Sequence, residues 1–129
     1  MHLHDQYHFG YVVDDLDEAQ AWFSESIGHR FCEEMTFENL FVRPDGESTT
    51  IPLRLTYSRD EPRLELIQSL PGTIFTPTTL SFHVGYWTDD IDADVAVLEK
   101  MGGLQLGKAY WTAGGDHYGR WSVLHRARP

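Results

Sequence analysis

Two stretches of the chain, Tyr7–Val13 and Phe82–Thr88, are rich in aromatic and β-branched residues, the composition of half-buried strands. Each runs through paired aspartates into a segment whose apolar positions recur with helical spacing. Leu16, Ala19, Trp22, Phe23 and Ile27 predict one apolar helix face; Ile91, Val95, Leu98 and Met101 predict a second. Asp15 stands where an N-cap belongs, with Glu18 three residues on, as in a capping box. Asp90 holds the matching place, but Ala93 cannot complete the box. Gly28 and Gly102-Gly103 are expected to end the helices, because glycine enters the left-handed conformation most easily.

Three strands are expected after the first helix, over residues 30–34, 50–58 and 63–68. The stretch Arg43-Pro44-Asp45-Gly46 is a turn signal. Ser69-Leu70-Pro71-Gly72 closes this part, and residues 73–80 read as a linker. The second helix is followed by an expected strand near 104–111, a glycine-rich loop at Ala113-Gly114-Gly115-Asp116 and a strand near 118–126.

The two halves repeat. Residues 7–17 align with residues 82–92 at a constant offset of 75, and six of the eleven positions are identical; Gly28 then falls opposite Gly103. Self-similarity of this kind marks a duplicated supersecondary unit. The expected fold is therefore α+β, two tandem βαβββ modules (1–72 and 81–129, joined by 73–80) forming one domain with a cupped mixed sheet. Glu65 plus the offset falls near position 140, past Pro129, so the last strand of the second module is expected to be missing or to lie in an omitted tail.

Composition narrows the functional classes. The chain has 129 residues, 41% hydrophobic, enough for one compact core. A formal charge of −10 argues against nucleic acid and anionic membranes as partners. Cys32 is the single cysteine, which excludes an intrachain disulfide and reads as a buried structural thiol. The N-terminus lacks a signal-peptide layout and no apolar run approaches a membrane span, so a cytoplasmic protein is expected. Walker and Rossmann glycine motifs are absent from the sequence.

Strand alternation assigns candidate chemistry. His8 shares a face with Gly10 and Val12, and His83 shares one with Gly85 and Trp87; Tyr7, Phe9 and Tyr11 are assigned to the helix side. A glycine two residues from each imidazole is expected to leave space for a metal and a substrate. Equivalent histidines of a duplicated unit are expected to face one cavity. Glu65, between Leu64 and Leu66, falls on that open face, either as a solvated glutamate or as a ligand. Two imidazoles and a carboxylate suit Zn²⁺, Fe²⁺, Mn²⁺, Co²⁺ or Ni²⁺.

The pattern His-x-Gly-Tyr-x-x-Asp-Asp-Leu-Asp, then Leu-Glu-Leu-Ile before Pro-Gly, then Phe-His-x-Gly-Tyr, resembles the glyoxalase/bleomycin-resistance/dioxygenase (vicinal oxygen chelate) superfamily over essentially the whole chain. The resemblance implies a divalent metal held by His8, Glu65 and His83. A fourth ligand, usually a glutamate on the final strand, has no counterpart; His125, on the preceding strand, is not a substitute. The members it looks most like are methylmalonyl-CoA epimerase and glyoxalase I, which implies proton transfer next to a carbonyl through a metal-stabilised enediolate, with Glu65 as the catalytic base. Trp87 and His117 are candidates to contact a small-molecule substrate. An unpaired sheet edge suggests a homodimer. The alternative is a metal-free binding protein of the bleomycin-resistance type. An extradiol-type dioxygenase is disfavoured, since its carboxylate comes from the final strand.

Overall fold

In the computed structural model the backbone is described for residues 1–113 and 116–126, and side chains for residues 1–110. The described residues form a 3₁₀ turn at Leu3–Asp5, then β1 (Gln6–Val13), α1 (Leu16–Ile27), β2 (Met35–Val42), β3 (Ser48–Tyr57), β4 (Leu64–Gln68), β5 (Phe82–Tyr86), α2 (Ile91–Lys100), β6 (Leu104–Ala113) and β7 (Asp116–Arg126). The class is α+β with mixed strand pairing, as the sequence predicts.

The chain divides into two compact units. The first holds residues 1–36 and 53–87; the second holds 37–52 and 88–129. Strand β3 gives its first half to the second unit and its remainder to the first.

In the first unit the hydrogen-bonded order is β5-β1-β4-β3. The β1·β4 pair is parallel, whereas β1·β5 and β3·β4 are antiparallel. Helix α1 supplies the crossover that a parallel pair requires. Asp15 caps it by accepting from the Glu18 N–H, and Gly28 ends it at φ 89°. The helix buries Leu16 against Leu64 and Leu66, with Val13, Ala19, Phe23 and Phe31 packed around them. Each fully buried leucine contributes about 1.5–3 kcal/mol. Trp22 and Ile27 do not join this face: they are 59% and 61% exposed. A stripe as wide as the sequence suggests exceeds what Leu64 and Leu66 can cover. The opposite sheet face has its own buried set, with Val12 and Leu55 each paired to Ile67.

In the second unit β2 pairs antiparallel with β6, and β6 with β7. Asp90 caps α2 by accepting from the Ala93 N–H. This helix ends two residues short of the repeat register, so Gly102, not Gly103, takes the left-handed conformation at φ 90°. The turn at Arg43–Gly46 forms as expected, with Gly46 at φ 88°.

Three expectations need correction. Residues 30–34 make no strand; Phe31 forms only an isolated bridge to Ser58, and the strand is Met35–Val42. The inward positions there are Phe37, Asn39 and Phe41, and the buried polar Asn39 interrupts the apolar alternation that would have marked the strand. Cys32 is exposed, not buried. The glycine-rich segment is shorter than the loop inferred from it: Ala113 ends β6, Asp116 begins β7, and Gly114 and Gly115 lie outside the described residues.

Candidate metal centre

Three adjacent strands of the first unit assemble the site, and their register explains its composition. Parallel pairing sets Gly10 of β1 beside Glu65 of β4. Antiparallel pairing sets Gly10 beside His83 of β5, and His8 beside Gly85. Cross-strand neighbours share a face, so His83, Gly10 and Glu65 form one row across the sheet. Their outer members stand two strand spacings apart, about 9.6 Å. With no side chain at Gly10, the His83 imidazole can lie across that position and reach the carboxylate: Nε2 is 2.7 Å from Glu65 Oε2. A Cβ on Gly10 would overlap the His83 ring, and a Cβ on Gly85 would overlap the His8 ring. The glycines thus make room for the opposite module's imidazole, which corrects the expectation that they leave the space open for metal and substrate.

His8 approaches from the other side, with Nε2 3.2 Å from the same Oε2. The two rings stand edge to face, 5.2 Å between centroids. The ligand atoms of His8, Glu65 and His83 lie within 4.8 Å of one another, a group able to hold a metal ion. Glu65 is only 4% exposed, so the solvated-glutamate alternative falls. Burial alone would raise its carboxyl; the facing imidazoles outweigh that and hold it below the usual carboxylate range, at about 2.

The donor set fits a divalent cation. His8 Nδ1 and His83 Nδ1 are buried without a hydrogen-bond partner among the described residues. Such orphaned nitrogens are costly unless something else engages them. Bonds of about 2.0–2.1 Å at tetrahedral angles put ligand atoms about 3.3 Å apart. To reach that spacing, the observed separations of 2.7 and 3.2 Å need to open by about 0.6 and about 0.1 Å.

Aromatic side chains surround the group. A register shift between Gln6 and His8 makes a bulge at Tyr7. Bulges re-aim side chains, and Tyr7 does not join Phe9 and Tyr11 on the helix side, as alternation predicted. Its ring lies 5.3 Å from His8, 5.7 Å from Tyr57 and 4.6 Å from Trp87. Trp87 follows β5 directly and is 64% exposed. A recess of about 320 Å³ opens beside Tyr7 and His8, with Arg63 also on its wall. The Arg63 guanidinium stands 5.6 Å from the Tyr7 ring centroid.

The structure therefore brings together His8, Glu65 and His83, and it places Trp87 nearby through Tyr7. His117 sits in strand β7, paired with Thr112, not in a loop; its side chain and that of His125 lie outside the described residues. Tyr57 was missed. It pairs with Glu65 across β3·β4, and its ring lies 5.5 Å from His8. Its alternation with Leu53 and Leu55 marks a face, but only the register reveals its neighbour.

The molecule is thus a mixed α+β protein built on a duplicated strand–helix corner, with a part-buried His-Glu-His group from three neighbouring strands that could hold a metal ion. The chain matches the model of the Glyoxalase/Bleomycin resistance protein/Dioxygenase superfamily over residues 7–119, and it belongs to that superfamily. No curated protein matches it.

Proposed function

We propose that the protein is a metal-dependent enzyme of the vicinal oxygen chelate type, an isomerase, epimerase or lyase that moves a proton next to a carbonyl. The observation that carries this reading is the convergence of His8 Nε2 and His83 Nε2 on one buried oxygen of Glu65. His8, Glu65 and His83 would hold the ion, with Zn²⁺, Ni²⁺, Co²⁺, Mn²⁺ and Fe²⁺ as the candidates that suit these donors. A bound divalent ion supplies a Lewis acid that polarises a substrate oxygen. Glu65 is the proposed base: it is ionised at neutral pH, and because the two imidazoles depress its carboxyl, accepting a proton would require it to part from them as substrate binds. The two imidazoles orient that carboxylate, and its burial keeps it from bulk water. Trp87 is the proposed substrate contact, and His117 a second one.

Metal analysis of untagged protein tests the first half of this reading, and exchange of a substrate's α-proton with solvent deuterium tests the second. Stoichiometric metal with no exchange on any carbonyl compound would leave a binding protein. The competing reading is a metal-free small-molecule binder of the bleomycin-resistance type. The aromatic cluster of Tyr7, Tyr57 and Trp87 favours it, and metal absent after loading with each ion would establish it over the first.

No described helix is long and apolar enough to cross a membrane; a cytoplasmic location is part of the proposal. So is a homodimer. Among the described residues β5 ends the strand order, and beside it Phe9, Tyr11 and Phe82 are 36%, 39% and 49% exposed. An edge strand can pair with its own symmetry mate and bury such rings without any other partner. Sedimentation showing a monomer at high concentration would remove the dimer.

A further inference from the structure

We infer that Tyr57 is a positioning residue for the metal-binding carboxylate, its phenol O–H engaging Glu65 so that Oε2 is left to face the two imidazoles. The inference rests on the metal-centre reading above and deepens it.

Three observations support the placement. Tyr57 and Glu65 are direct partners across the antiparallel β3·β4 ladder, so their side chains leave the same face side by side. The Tyr57 ring packs edge-on against His8, at 68° between planes, and against Tyr7, which fixes where its hydroxyl can go. Both imidazole nitrogens converge on Oε2 of Glu65. A carboxylate on a flexible stem can present either oxygen; a donor held against it by a rigid neighbouring strand removes that freedom. Such outer partners of metal ligands typically govern affinity by 10–100-fold.

The same constellation separates positioning from ligation. A phenol that donates to Glu65 keeps its proton and leaves the metal's open positions to solvent or substrate. A phenol that bound the ion directly would lose its proton, and Fe³⁺ loading would then give an intense visible phenolate-to-iron absorption.

The test uses the full chain with Tyr57→Phe, which deletes the hydroxyl and keeps the ring contacts. Zn²⁺ and Co²⁺ affinities are measured by competition with a chromophoric chelator, alongside the Co²⁺ absorption spectrum and melting of the metal-free protein. The expected result is a loss of about tenfold or more in affinity with a changed Co²⁺ spectrum. The same substitution on a Glu65→Gln background should weaken binding little further, because the hydroxyl acts through the carboxylate. That comparison also decides the matter if Tyr57→Phe alone lowers the melting temperature. Wild-type affinity and spectrum in Tyr57→Phe would overturn the inference while leaving the metal centre standing, as would a full additive loss on the Glu65→Gln background. A phenolate band in the Fe³⁺-loaded wild type would replace positioning by ligation. A wild type that takes up no ion would remove the metal centre, and the inference with it.

Discussion

Gly10 and Gly85 decide whether the two imidazoles can occupy their places at all. Each is paired to the opposite strand's histidine, and a methyl group at either would overlap that ring. Gly10→Ala should therefore displace His83, and Gly85→Ala should displace His8. Each is expected to cost about 1–3 kcal/mol through overpacking and to abolish tight metal binding, read by thermal melting and by metal titration. Either variant binding metal like the wild type would show that the rings can reach the carboxylate another way. His8→Ala and His83→Ala should also abolish metal binding, yet keep a native far-UV dichroism spectrum, because both side chains lie on the sheet face away from the core of Leu16, Leu64 and Leu66. Stoichiometric metal in the double variant would defeat the assignment of ligands. The sequence made the three ligand candidates legible, because the repeat put both histidines in one register and alternation put Glu65 on their face. The purpose of the glycines was not legible: it depends on which strand lies next to which, and a single strand's pattern carries no information about its neighbour.

Local signals at the ends of elements transferred well from sequence to structure, since they act within four residues. Asp15 and Asp90 both cap their helices. At the first corner the Gln68 side chain also accepts from the Leu16 N–H and donates to the Asp14 carbonyl, tying the end of β4 to the start of α1. Asp15→Ala should cost about 1 kcal/mol, seen as a lower melting temperature with the metal site intact; an unchanged melt would mean that Gln68 alone holds the corner. Signals that depend on other elements transferred poorly. The bulge that turns Tyr7 toward His8 exists only in the β1·β5 pairing. The strand Met35–Val42 was hidden because Asn39 occupies an inward position. Between these elements Glu34 receives Gln20 of α1 and Arg54 of β3, and Arg54 also reaches Asp17. The Arg54 and Gln20 hydrogen bonds hold the Glu34 carboxyl below its ordinary value of 4.5. A depressed carboxyl stabilises the fold fully above its unfolded value and loses that contribution as pH falls through the folded one. The melting-temperature gap between wild type and Arg54→Met should thus be present at neutral pH and shrink as pH drops below 4.5. A gap that persists in strong acid would assign the effect to the Arg54 methylenes instead.

Across the whole chain, the duplication at an offset of 75 announced the fold class, because the same strand–helix corner twice over permits few architectures. It did not announce the grouping. Strand β2, from the first copy of the repeat, pairs with β6 of the second, and the compact units cut through β3. Such long-range pairings are fixed by register and packing, which no local period records. Charge, by contrast, is a property of the entire sequence and needs no fold to be read. Twenty acidic against ten basic residues leave a formal charge of −10. That field draws cations toward the protein and raises their encounter rate, while added salt screens it over a Debye length of about 8 Å at physiological ionic strength. The candidate site reinforces the attraction, since Glu65 is the one charged member of the triad when both imidazoles are neutral. Capture of Zn²⁺ or Co²⁺ should therefore slow by about tenfold between low and high ionic strength. The release rate should change little, because the bonds broken on release lie among buried ligand atoms with little exposure to the ionic atmosphere. Stopped-flow mixing with a chromophoric chelator separates the two rates. Salt dependence confined to release would place the governing charges next to the bound ion and deny the surface any part in uptake. A salt-insensitive association rate would mean that opening of the His8–Glu65–His83 contacts, and not encounter, limits entry of the ion.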